Sequence, residues 1–154
     1  MMSNTLLESV VKKNRARLIP FMLALYVLAF LDRSNIGFAK ETYQLDTGLS
    51  NEAYALGAGI FFVVYAFLGV PANLLMRKFG ARRWIGCTTL LWGVLSAAMA
   101  WADTEAKFLL VRTLLGAAEA GVFPGMIYLT SQWVPQQNRA SIMGLFFMGA
   151  PLAL

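Results

Sequence analysis

The alternation of apolar and polar stretches along the chain predicts four complete membrane-spanning helices and the start of a fifth. A helix that crosses about 30 Å of hydrocarbon needs about 20 mostly apolar residues. Apolar stretches of this kind predict helices over about 18–38, 53–76, 84–102 and 107–134, and an incomplete helix over 140–154. Because the last stretch is too short to span, we expect this chain to be the amino-terminal piece of a longer protein.

The segments between the apolar stretches are short and polar. Residues 39–52 are expected to form a loop, and the basic residues at 77–83 a tight turn. Residues 1–17 are expected to form a tail outside the membrane, in which a capping-box pattern favours a short interfacial helix. A basic segment before an apolar run is also typical of a signal peptide, but no small-x-small cleavage site follows and further spans do. We therefore interpret residues 18–38 as the first transmembrane helix.

Composition and charge support a membrane protein. Of the 154 residues, 58% are hydrophobic and only 14% are charged, whereas soluble domains have about 25% charged residues. Most lysines and arginines fall in the tail and in the 77–83 and 135–139 turns. The positive-inside rule places these segments, and hence the amino terminus, in the cytoplasm. The net charge of +5 therefore reflects topology in a lipid bilayer, and nucleic-acid binding is not expected.

The predicted fourth helix contains two charged residues, Arg112 and Glu119, within an apolar stretch. Each charge costs at least about 2.5–3.5 kcal/mol near the bilayer centre. Seven steps of about 100° bring both to one face, with Gly116 between them. Pro124 is expected to bend the helix. A second edge of the helix has a small residue at every fourth position, at Ala117, Gly121 and Gly125. Small residues at this spacing favour close packing against a neighbouring helix. A polar face beside a packing edge indicates transport.

Three further residues are candidates for the same cavity. Asp32 and Arg33 lie inside the first predicted helix, and Tyr65 lies near the middle of the second. Arginine stays protonated and offers paired donors to a carboxylate substrate. Carboxylates at low dielectric can exchange protons near neutral pH, and the sequence has no histidine that could do so.

Each of these candidates has a structural alternative. The four charges would, on that alternative, only pair to hold helices together, although buried ion pairs stabilise a fold weakly for their desolvation cost. The Tyr65 hydroxyl equally fits an ordinary interhelical hydrogen bond. The small residues around Gly57 are interpreted as helix packing, and the Phe61–Phe62 pair as packing or lipid-facing side chains.

Three motifs carry a resemblance to a known family. They are Leu31-Asp32-Arg33-Ser34-Asn35, Gly80-Ala81-Arg82-Arg83-Trp84, and RTLLGAAEAGVFPG from Arg112 to Gly125. On these residues the whole chain resembles the first third of a major facilitator superfamily transporter, of the anion:cation symporter family. The resemblance implies an all-α membrane fold of twelve helices in two halves, with the site between the halves. It also implies proton-coupled uptake of a sugar-acid anion, such as L-rhamnonate, across the bacterial inner membrane.

The resemblance further implies roles for single residues. Asp32 and Glu119 would couple transport to the proton. Arg33 and Arg112 would bind the anion or pair with other charges, and Tyr65 would line the cavity. The residues that correspond to the superfamily's conformational turn motif are Lys78, Gly80, Arg82 and Arg83. The chain departs from that motif at three positions, Asn73, Arg77 and Ala81, of which Arg77 replaces the usual Asp.

The expected function is therefore secondary active transport of a small organic anion, with the proton as coupling ion and a carboxyl-terminal transmembrane half as the missing partner. Transport by these 154 residues alone is not expected. A small helical membrane subunit and a non-functional truncated product are the alternatives. No cofactor, metal site or catalytic residue is expected, since the sequence has no histidine, no cysteine pair and no recognisable nucleophile–base pattern.

Overall fold

A computed structural model describes residues 2–152, and it describes their side chains except at residues 2–8, 10–11, 14–15 and 149–152. The described chain is almost entirely helical and has no strand, which confirms the expected all-α class. The helices are α1 (Met2–Phe38), α2 (Lys40–Thr47), α3 (Asn51–Phe79), α4 (Ala81–Ala98), α5 (Glu105–Glu119), α6 (Val122–Trp133) and α7 (Gln136–Leu152). A short 3-10 helix, Met99–Trp101, continues α4.

Within the described residues, three helical segments are long and apolar enough to cross a membrane. They are Asn51–Phe79, Ala81–Trp101 and Glu105–Trp133. Large apolar side chains such as Phe67, Leu90 and Val94 are exposed on them. Exposure on this scale is expected where the surroundings are lipid or another helical segment rather than water.

The structure extends the first helix beyond the predicted range. α1 begins at Met2 and runs without a break to Phe38, so the described part of the expected tail (residues 1–17) continues into the first apolar stretch. The segment before Pro20 contains neither glycine nor proline, and its lysines, arginines and leucines are good helix formers. Nothing in that segment therefore ends a helix that has once formed.

The polar segment at 39–52, expected to be a loop, contains α2. This helix ends at Gly48, whose φ of +71° is a left-handed conformation that glycine adopts without a steric penalty. The Tyr43 hydroxyl holds α2 in place by donating a hydrogen bond to the carbonyl of Ala102 at 2.5 Å. The Tyr43 ring also contacts the rings of Tyr54 and Phe108, at centroid distances of 6.2 and 5.7 Å. Burial raises the pKa of the Tyr43 hydroxyl.

Side-chain and glycine caps determine where α3 begins and ends. The Ser50 hydroxyl accepts a hydrogen bond from the backbone N–H of Ala53 at 3.1 Å, which satisfies one free donor of the first turn. Gly80 follows the last residue of α3 with a φ of +85°, and α4 begins at the next residue. One glycine thus reverses the chain between two membrane-spanning helices.

The predicted fourth helix is divided into α5 and α6 at Ala120 and Gly121. Pro124 has no backbone N–H, so the carbonyl of Ala120 loses its helical donor. The regular pattern resumes where the N–H of Gly125 donates to the carbonyl of Gly121 at 3.1 Å. The proline expected to bend this span therefore coincides with a break in it.

The chain forms two compact units, Asn35–Gly125 and the segments Met1–Ser34 with Met126–Leu154. In the first unit, α5 packs against both α3 and α4. In the second unit, Arg139 caps the end of α6 by donating hydrogen bonds to the carbonyls of Ser131 at 2.6 Å and Val134 at 3.0 Å. A cation at this end also complements the negative pole of the helix.

Candidate functional site

One buried face of α5 carries two charged side chains. Phe108, Arg112, Leu115 and Glu119 are buried and follow one another at spacings of three and four residues, which places them on one side of a helix. Arg112 is 2% exposed and Glu119 is 1% exposed. The two charges lie about 10 Å apart along the helix axis, since each residue rises about 1.5 Å.

Arg112 of α5 is held by two groups of α3. Its Nε donates a hydrogen bond to the carbonyl of Gly57 at 3.3 Å. Its Cζ lies 4.6 Å from the centroid of the Phe61 ring, a cation–π distance. Gly57 and Phe61 are four residues apart and therefore on the same face of α3. The guanidinium is thus oriented by a neighbouring helix.

Two glycines allow α3 and α5 to approach closely enough for these contacts. A Cβ added at Gly57 would lie 2.1 Å from Cε1 of Phe108, and one added at Gly116 would lie 2.5 Å from the carbonyl oxygen of Phe61. Neither distance permits a side chain without movement of the neighbour. By contrast, a Cβ at Gly59 would meet nothing within 4 Å. The interpretation of this segment as small-residue packing therefore applies to Gly57.

Phe61 is a site residue that the sequence interpretation did not identify. The ring of Phe61 is completely buried between Arg112 and Tyr65. It stacks on Tyr65 with a centroid distance of 6.1 Å and an interplanar angle of 17°. Spacings of four residues join Gly57, Phe61 and Tyr65 into one stripe of α3. That spacing was the available signal, but it does not reveal which helix the stripe faces.

Glu119 ends α5 directly before the break at Ala120 and Gly121. Backbone hydrogen bonds are irregular there, since Pro124 cannot donate to Ala120. A Cβ added at Gly121 would lie 2.7 Å from the indole Nε1 of Trp84, so α4 packs against this break. The Glu119 side chain therefore lies next to the least regular part of this membrane-spanning segment.

Asp32 and Arg33 lie in α1 and are half-buried. They belong to the unit that includes Met1–Ser34, whereas Arg112, Glu119 and Tyr65 belong to the unit Asn35–Gly125. The structure thus brings Arg112 and Tyr65 together through Phe61, with Glu119 on the same face of α5 as Arg112. It groups the Asp32–Arg33 pair separately.

The residues of the predicted turn motif lie at the junction of α3 and α4. Lys78, Gly80, Arg82 and Arg83 are all exposed. The rings of Phe79 and Trp84 stack across the turn, with a centroid distance of 6.2 Å and an interplanar angle of 8°. Among the side chains that the structure describes, no group of three or more His, Cys, Asp or Glu residues is arranged to hold a metal ion.

Comparisons with known proteins identify relatives that match almost the whole chain. The chain is 89% identical over 99% of its length to the inner membrane transport protein RhmT of Escherichia coli. It is 46% identical over 98% of its length to a putative tartrate transporter of Agrobacterium vitis. It is 45% identical over 89% of its length to the putative metabolite transport protein NicT of Pseudomonas putida.

The chain spans about a third of the length of these relatives, namely 36%, 34% and 31% of them. The family model of the Major Facilitator Superfamily matches residues 22–154. The match includes Asp32, Tyr65, Arg112 and Glu119, and it confirms the superfamily that the three sequence motifs indicated. This multi-pass helical chain therefore belongs to the Major Facilitator Superfamily of membrane transporters.

Proposed function

We propose that this chain is the part of a proton-coupled symporter that positions an arginine for a sugar-acid anion. The observation that carries the proposal is the buried guanidinium of Arg112, held on one side by the Gly57 carbonyl and the Phe61 ring. A positive charge buried in a membrane-spanning helix is costly unless it serves a site or a partner. Its planar donors match a carboxylate in geometry and charge.

The proposed substrate class is a hydroxylated carboxylate, with L-rhamnonate as the first compound to test. A relative that is 46% identical is named a putative tartrate transporter, which supports recognition of a small organic anion. Another relative, 44% identical, is named a quinolone resistance transporter. Because relatives at similar identity carry different names, the test compares more than one organic acid.

Proton coupling is assigned to carboxylates in this proposal. Glu119 is buried on the same helix face as Arg112, so a bound anion and the carboxylate would influence each other through the low-dielectric site. Asp32 is proposed as a second coupling group, and Arg33 as a second cation for the anion. Tyr65, stacked on Phe61, would contribute its hydroxyl to the cavity wall.

We also propose that the chain lies in the inner membrane with its amino terminus in the cytoplasm. The basis is the concentration of positive charge in the amino-terminal tail and the 77–83 turn. The opposite connections, at 39–52 and 103–106, hold the acidic residues Glu41, Asp46, Glu52, Asp103 and Glu105. A topology reporter fused to the amino terminus in one variant and inserted at Gly48 in another should report opposite sides of the membrane.

The test is a chimera in which this chain replaces the matching first third of Escherichia coli RhmT, which is 89% identical to it. Cells lacking their own RhmT would be assayed for accumulation of radiolabelled L-rhamnonate and tartrate. A protonophore should abolish accumulation if a proton gradient drives it. Accumulation that is insensitive to the protonophore would overturn the coupling, and failure to take up either acid would overturn the proposed substrate class.

Two substitutions separate the assigned roles. Arg112→Ala should abolish both accumulation and substrate exchange, because the anion loses its charged partner. Glu119→Gln should abolish accumulation but retain exchange of internal for external substrate, because exchange requires no net proton movement. Gradient-driven accumulation by the Glu119→Gln chimera would contradict the role of Glu119, with membrane abundance measured in parallel for each variant.

A further inference from the structure

The junction of α3 and α4 carries an unusual concentration of exposed positive charge. Four cations, Arg77, Lys78, Arg82 and Arg83, fall within seven residues, and all four are exposed. The sequence has no Asp or Glu between Glu52, in the first turn of α3, and Asp103, so neither helix has an acidic residue near this turn. Among described residues, Lys78, Arg82 and Arg83 form no ion pair. These like charges repel one another at short range.

The position of the turn determines which anions can reach it. It joins two segments, Asn51–Phe79 and Ala81–Trp101, that are both long and apolar enough to cross a membrane. In a multi-pass membrane protein, the shared end of two such segments is expected at the bilayer surface, where lipid headgroups lie. Phe79, 55% exposed, stacks on Trp84 beside the cations. Aromatic side chains of this kind are typical of the interface between hydrocarbon and headgroups.

We propose that Lys78, Arg82 and Arg83 bind the phosphodiester headgroup of an anionic phospholipid, with its acyl chains against the exposed Leu74, Leu75 and Phe79 of α3. Clusters of four or more basic residues beside a membrane span bind anionic lipids. A lipid fits better than free phosphate because the cations adjoin exposed apolar side chains of α3, which acyl chains can contact and phosphate cannot. This site is separate from Arg112 and does not depend on the transported substrate.

The test uses the chain purified in detergent and titrated with phosphatidylglycerol or phosphatidylcholine, with bound lipid counted by native mass spectrometry. We expect phosphatidylglycerol to bind at least about tenfold more tightly than phosphatidylcholine. The triple variant Lys78→Gln, Arg82→Gln, Arg83→Gln should lose that preference, because three of the four cations that attract the anionic headgroup are removed. Equal affinity of the unmodified chain for the two lipids would overturn the proposal.

The matched control removes the same number of charges elsewhere, with Lys12→Gln, Lys13→Gln and Arg17→Gln. These three side chains are also exposed, but they lie in α1 rather than at the turn. The control should retain most of the preference for phosphatidylglycerol. Equal losses in the two triple variants would indicate diffuse attraction to charge and would overturn a defined site. Inorganic phosphate that binds as tightly as the lipid would also overturn it.

A second measurement needs no substitution and so does not depend on the variants folding. The unmodified chain would be crosslinked to photoactivatable phosphatidylglycerol in zwitterionic nanodiscs and digested for mass spectrometry. Crosslinks enriched in residues 74–84, and reduced by excess unlabelled phosphatidylglycerol, are the expected result. Crosslinks spread evenly over the exposed apolar surfaces of α3 and α4 would contradict the proposal.

Discussion

The guanidinium of Arg112 lies on the ring of Phe61, with 4.6 Å between Cζ and the ring centroid. The arginine belongs to α5 and the phenylalanine to α3, so the orientation of the guanidinium depends on the distance between these two helices. The Gly57 carbonyl, one turn before Phe61, fixes the Nε end of the same group at 3.3 Å. The orientation of this guanidinium therefore depends on two groups of α3.

Phe61→Leu should weaken substrate binding without removing the charge. A cation–π contact is worth about 0.5–2 kcal/mol, and its loss would also release the orientation of Arg112. We therefore expect the apparent KM of the transport chimera to rise several-fold, with a smaller change in maximal rate. The measurement is initial uptake of radiolabelled L-rhamnonate, normalised to the amount of chimera in the membrane.

The matched control is Phe62→Leu at the neighbouring position. Phe62 is 54% exposed, whereas Phe61 is completely buried. Its substitution removes the same atoms from the same helix but leaves the ring under Arg112 in place. The control should keep the KM of the unmodified chimera. Equal KM changes in both variants would show that the Phe61–Arg112 contact has no special role.

Gly57→Ala should destabilise the packing of α3 against α5. The new Cβ would lie 2.1 Å from Cε1 of the buried Phe108, so a ring with no free space would have to move. Overpacking of this kind costs about 1–3 kcal/mol. A lower midpoint in a heating series followed by fluorescence-detected size-exclusion chromatography is the expected result.

Two variants test whether the Phe108 ring is the cause. Adding Phe108→Leu to Gly57→Ala removes ring atoms at the clash and should restore part of the lost stability. Gly59→Ala, two residues away, adds a Cβ that meets nothing within 4 Å and should leave the midpoint unchanged or slightly higher. A drop of similar size in Gly59→Ala would mean that any added methyl on α3 is harmful.

The sequence predicted the charged face of this site better than its surroundings. The spacing of Arg112 and Glu119 predicts a shared face, and the position of Pro124 predicts the irregularity after Glu119, because both follow from single-helix geometry. The contact with Phe61 depends on which helix lies opposite, and no periodicity within one helix contains that information. The helix α2 was missed for a different reason: its eight residues are mostly polar and give no hydropathy signal, and a tertiary contact through Tyr43 holds it.

Gly116→Ala should be more harmful than Gly57→Ala. Its Cβ would lie 2.5 Å from a backbone atom, the carbonyl oxygen of Phe61, and a backbone cannot relieve the overlap by changing rotamer. α3 and α5 would have to separate, which would also draw the Gly57 carbonyl away from Arg112. We expect a larger loss of thermal stability and loss of uptake in the chimera. Gly93→Ala in α4, where a Cβ meets nothing within 4 Å, is the control and should behave as the unmodified chain.

The ion pair between Asp103 and Lys107 offers a prediction about pH. The Lys107 ammonium donates a hydrogen bond to the Asp103 carboxylate at 2.6 Å and thereby lowers the pKa of that carboxyl below its ordinary value of 3.8. A lowered folded-state pKa adds stability above the ordinary pKa, and this stability fades as pH falls through the lowered value. Both side chains are more than half exposed, at 56% for Lys107 and 65% for Asp103, so solvent screens the pair strongly.

Lys107→Ala should therefore raise the pKa of Asp103 towards 3.8 and leave the thermal midpoint at neutral pH nearly unchanged. The measurement is the titration of the Asp103 side-chain carbon by NMR in selectively labelled chain, beside a heating series at pH 7. Lys40→Ala, an exposed lysine of α2, is the control and should leave the Asp103 titration where it is. An unchanged Asp103 pKa in Lys107→Ala would contradict the pairing. A large fall in the midpoint would mean that this exposed pair stabilises the start of α5 more than screened charges can.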